Sequence, residues 1–124
     1  MFALFDDAGK FQAGRVMSEA DSSMQIELDS GKRVKVKAAN VLIKFAKPSP
    51  AEVLGQAPAL AAEIDLDLIW EVAPDEDFAF DDLAREYFSD TATPVQQAAM
   101  LMRLFETPHY FHRRGKGQIG RAHV

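Results

Sequence analysis

The chain has 124 residues, 48% of them hydrophobic, no cysteine and a net charge of −5, which suffices for one modest core or two very small ones. Without cysteine there are no disulfides and no thiolate metal sites. No apolar run reaches the length of a membrane span, and MFALFDDAGK carries acids where a signal peptide needs a basic flank, so the expected class is a soluble cytoplasmic protein with no membrane partner.

Met1 to Ala46 reads as all-β. Phe2, Leu4 and Phe5 open a strand, Asp7-Ala8-Gly9 makes a turn, and Phe11 to Met17 returns with Val16 inward. Met24, Ile26 and Leu28 alternate with Gln25 and Glu27, the period-2 pattern of a strand with one solvated face. Ser30-Gly31 closes the next hairpin, Val34 and Val36 alternate with Arg33, Lys35 and Lys37, and Ala38-Ala39-Asn40 separates this strand from a last one at Val41 to Phe45. Five short strands in under fifty residues predict a small barrel over residues 1–47, SH3-like or OB-like, because closure removes exposed edges. The short final link favours the SH3-like form.

Lys47-Pro48-Ser49-Pro50 marks the boundary to a helical region over residues 48–118. Ser49 to Glu52 forms a capping box, and Val53, Leu54, Ala57, Leu60, Ala61 and Ile64 give the following helix an apolar stripe. Gly55 and Pro58 predict a kink or break near Ala57. Asp65 to Val72 fits either period and is assigned to helix from its surroundings. The acids Asp75, Glu76, Asp77, Asp81 and Asp82 suit the approach to a helix N-terminus, and no partner base, nucleophile or glycine-rich phosphate loop lies nearby.

Phe80, Leu83, Ala84 and Tyr87 share one face of a short helix, and Ser89 to Ala92 is a turn. The next helix has the clearest start: Thr93 caps, Pro94 takes the first position, and Gln96 completes a Thr-x-x-Gln box. Val95, Ala98, Ala99, Met102 and Phe105 form its buried face, leaving Gln96, Gln97, Met100 and Arg103 outward. Helix, turn, helix, aromatic strand and basic glycine turn together predict a winged helix-turn-helix. The fold class expected for the whole chain is therefore α+β, a small barrel followed by a mainly α-helical winged-helix domain.

Charge is divided along the chain. Met1 to Lys47 holds eight Lys/Arg against six Asp/Glu, Pro48 to Thr107 two against thirteen, and Pro108 to Val124 four against none, giving +2, −11 and +4. An acidic middle is a poor surface for wrapping duplex DNA. The residues expected to touch an RNA backbone are Lys32, Arg33, Lys35 and Lys37 on the barrel, and Arg113, Arg114 and Lys116 at the wing. The same residues also read as a solvated strand face and a solvated hairpin tip. His109 and His112, three apart on a strand, point to opposite faces and do not form a joint ligand pair. No catalytic or metal-binding residue is assigned.

Three long segments, SGKRVKVKAANVLIKFAKPSPAEVL, EIDLDLIWEVAPDEDFAFDDLAREYF and TPVQQAAMLMRLFETPHYFHRRGKG, resemble the N-terminal region of proteobacterial ribonuclease II family exoribonucleases. The resemblance covers Met1 to about Gln118. It implies a small barrel and a winged helix ahead of a catalytic domain that hydrolyses RNA from the 3′ end with magnesium held by aspartates. No aspartate motif of that kind lies in these residues, so no catalytic residue carries over and magnesium belongs to the parent enzyme. The partners implied are RNA and the catalytic domain of the same chain. Ile119 to Val124, IGRAHV, departs from the pattern and matches the translation of a common sequencing adapter. Residues 119–124 are accordingly expected to be a non-native tail, with Arg121 and His123 carrying no function and Tyr110 to Arg114 lacking a complete partner strand. Two other readings stand beside this one: a stand-alone winged-helix regulator that binds duplex DNA, and a protein-interaction adaptor that docks through its acidic middle.

Overall fold

A computed structural model describes residues 1–122; His123 and Val124, the end of the expected tail, lie outside the described residues. The chain is α+β and divides into two compact units, Met1 to Gly55 and Gln56 onward.

The first unit is an antiparallel five-stranded sheet. Strands β1 (Phe2–Asp7), β2 (Lys10–Glu19), β3 (Ser23–Leu28), β4 (Arg33–Lys37) and β5 (Val41–Phe45) are ordered β4-β3-β2-β1-β5, with a 3₁₀ turn at Ala38–Asn40 between the last two. The β1-β2 hairpin pairs Asp7 with Lys10 across a two-residue loop, Ala8 and Gly9, both at positive φ (52° and 91°). That is the geometry whose twist matches the flanking strands. Alternation then sets the core: Ala3, Phe5, Met24, Ile26 and Val36 are buried together, with Val16, Leu28, Val34 and Val41 packed against them. The expected closure into a barrel is not made. Strands β4 and β5 stand at opposite ends of the sheet order, the 3₁₀ turn between them, and no ladder joins them among the described residues.

Helix α1 (Pro50–Glu63) carries the division between the units, which falls after Gly55. It starts as its capping box dictates, with the Glu52 amide donating to Ser49 Oγ at 3.3 Å. Of the kink or break expected near Ala57, the break does not occur, and the helix continues through Pro58. Pro58 is exposed, so its missing N–H falls on the solvent side, while Val53, Ala57, Ala61 and Ile64 keep one buried stripe running past it.

In the second unit α2 (Leu66–Val72) is capped by Asp65, whose carboxylate accepts from the Leu68 amide at 3.2 Å. The Asp65 amide donates to the Tyr87 hydroxyl at 3.1 Å, tying α2 to α3 (Phe80–Tyr87). The box at Thr93 and Gln96 is present in α4 (Pro94–Phe105), with both reciprocal hydrogen bonds made. A three-stranded sheet, β6 (Phe78–Ala79), β7 (Phe111–Gly115) and β8 (Gln118–Arg121), is ordered β6-β8-β7. The expectation of an incomplete strand after Tyr110 is corrected: β8 pairs with β7 from Phe111↔Arg121 to Gly115↔Gln118 and with β6 through Phe78↔Ile119. The two-residue turn Lys116-Gly117 supplies the positive φ values (54° and 78°) that this hairpin needs.

Candidate nucleic-acid interface

On β4 the side chains of Arg33, Lys35 and Lys37 alternate with the half-buried Val34 and the buried Val36, so the three cations share one exposed face, and Lys32 is exposed just before them. Across the ladder they stand opposite Glu27, Gln25 and Ser23. Arg33 is the most constrained of the three. Its Nε lies 3.5 Å from Glu27 Oε2, while Arg15 Nη2 lies 3.3 Å from Glu27 Oε1, so one carboxylate is held between two guanidiniums. The hydrogen bond from Arg15, helped by Arg33, keeps the Glu27 carboxyl below the usual glutamate range. Lys35 and Lys37 line an open groove of about 410 Å³ together with Asp6, Asp7, Gln12 and Asn40. They are the cations of this face best placed to meet a ligand.

The cations of the β7-β8 hairpin are more engaged than the sequence implies. The Arg113 guanidinium sits 4.6 Å from the centre of the Phe105 ring, and Arg114 Nε lies 3.6 Å from Asp77 Oδ1. Lys116 stands at the exposed tip of the turn at φ 54°. The cations of β4 and those of the β7-β8 hairpin belong to different units.

Two residues outside the expected set matter to this region. Arg121 stacks its guanidinium 4.2 Å from the centre of the Trp70 ring, donates to the Ala73 carbonyl at 3.1 Å and pairs with Asp75 at 3.3 Å. Trp70 also meets Tyr110 and Phe111 edge-on, each at 5.7 Å between centroids. In the sequence Arg121 carried no signal, since it stands in the segment that departs from the resemblance.

The helix that a groove reader would use has little to offer. Ala98, Ala99, Met100, Leu101, Met102 and Leu104 of α4 are all buried. Met100, expected to face outward, is 0% exposed. Gln96, Gln97 and Arg103 are only half-exposed, and Gln97 is turned back to the Ala92 carbonyl at 3.0 Å. His109 lies in a turn and His112 on β7, and among the described residues no group of three or more His, Asp or Glu side chains is placed to hold a metal ion. Among the same residues no helix is long and apolar enough to cross a membrane. No family model, curated protein or solved structure matches this chain.

Proposed function

We propose that the chain is the N-terminal RNA-guiding and packing region of a ribonuclease II-like 3′-to-5′ exoribonuclease, whose catalytic domain and magnesium site lie outside these residues. What supports the first half of this reading is a five-stranded antiparallel sheet in the order β4-β3-β2-β1-β5, with a 3₁₀ turn before β5. The second half is supported by the order α3, α4, β7, β8 with β6 paired to β8, two helices followed by a hairpin as a winged helix requires. The observation that carries the RNA reading is the exposed row Arg33, Lys35 and Lys37 beside an open groove, reached without any helix entering a duplex. The burial of α4 favours a packing module over a DNA-reading regulator.

The test is fluorescence anisotropy of the whole chain with a labelled oligouridylate of about 15 nucleotides. Double reversal Lys35→Glu/Lys37→Glu is expected to weaken binding at least about tenfold and to flatten the salt dependence by about 1.4 in log–log slope. Unchanged affinity and slope would remove β4 from the interface.

A further inference from the structure

Helix α2 turns apolar residues to both of its sides. Ile69 is buried, and Trp70 is held by Tyr110, Phe111 and Arg121, so the inner side is fully used by the fold. On the outer side Leu68 is 45% exposed and Val72 39% exposed. Four residues apart, they are neighbours on the helix surface. Asp67 and Glu71, each one position earlier, run beside them as a parallel exposed pair with no cationic partner among the described residues. The surroundings continue this sign: from Pro48 to Ala84 the sequence has ten Asp/Glu and no Lys or Arg. Two arginines that do approach from β7 and β8 are spent on Asp77 and Asp75.

We propose that this face of α2 docks a basic amphipathic helix of another protein. The apolar pair at helical spacing matches the stripe of a second helix laid against it, as helix-on-helix recognition requires. The acidic border along one edge selects lysine and arginine on the facing edge of that stripe and repels phosphate backbones. The surface is distinct from the basic row on β4, and its failure would leave the RNA reading intact.

A labelled peptide of about 18 residues, built only from Leu and Lys with leucines at helical spacing, is the probe. Its binding to the whole chain is followed by anisotropy and by the emission of Trp70, the one tryptophan. Leu68→Asp is expected to weaken binding at least about tenfold, and Asp67→Lys/Glu71→Lys to do the same while keeping the apolar pair. All substituted positions are exposed, and circular dichroism confirms that the variants fold. A peptide of identical composition with its leucines scrambled off the helical stripe is expected to bind far less. Equal binding of the scrambled peptide, or unchanged affinity for Leu68→Asp, would overturn the proposal. So would light scattering that shows a dimer abolished by Leu68→Asp, since a second copy of the chain would then be the occupant.

Discussion

A Cβ on Gly14 would stand 2.4 Å from the backbone oxygen of Glu27 and 2.8 Å from Ile26 Cγ2, whereas one on Gly120 would meet Arg114 Nε at 2.6 Å and Asp77 Oδ1 at 2.7 Å. The first obstacle is a sheet backbone that has nowhere to go. The second is a pair of flexible side chains, both about half-exposed. Gly14→Ala is therefore expected to destabilise the fold by about 1–3 kcal/mol, and Gly120→Ala by less than about 1 kcal/mol, the worth of the exposed ion pair it displaces. Urea midpoints measured with unchanged slopes check both. Glu27 makes a pH prediction. Its carboxyl titrates lower in the folded chain than in the unfolded one, so its contribution is complete above the ordinary glutamate value of about 4.3 and is lost as pH falls through the lowered value. Between the two, the unfolded chain holds the proton more than the folded chain does, and stability rises with pH. In Arg15→Gln/Arg33→Gln the Glu27 titration, followed by carboxyl NMR, is expected to return toward the ordinary value and this slope to disappear. At this scale the cations of β4 were legible, because strand alternation alone puts Arg33, Lys35 and Lys37 on one face. The engagement of Arg113 with Phe105 and of Arg114 with Asp77 was not, since neither partner is near in sequence.

Elements were legible where local chemistry dictates them. Hairpins at Ala8-Gly9 and Lys116-Gly117 and the capped start of α4 fall where glycine, or a Thr-x-x-Gln box, leaves little choice. The capping box makes its own prediction: Thr93→Ala is expected to cost about 1 kcal/mol, read from the urea midpoint. A two-residue strand such as β6 has no period to detect, and it exists because Phe78 and Ala79 find Ile119 and Gln118 forty residues on. Likewise α4 has one apolar face by periodicity, yet the structure buries Met100 and Leu101 as well. Helical spacing reports which residues are apolar, and burial on the remaining faces depends on what the fold brings against them. Pro58 is the converse case, a residue with a strong local preference overridden because its ring faces solvent and the buried stripe continues beyond it.

For the molecule as a whole, charge is partitioned between surfaces. The first unit presents a basic strand beside an open groove, and the second presents an acidic helical face with its arginines largely committed to internal partners. That partition was visible as the +2, −11 and +4 segments of the sequence; the structure adds that α4 buries Ala98 to Met102 and Leu104, leaving few side chains for a DNA groove. A chain built this way is expected to follow a single strand through its phosphates, with no need of a duplex. The measurement that tests this most directly is anisotropy of the intact chain against the labelled oligouridylate and a duplex DNA of matched length, each over a series of salt concentrations. The account predicts tighter binding to the RNA, with a salt slope that falls when Lys35 and Lys37 are reversed. Preferential binding of the duplex, or RNA binding indifferent to that reversal, would contradict it.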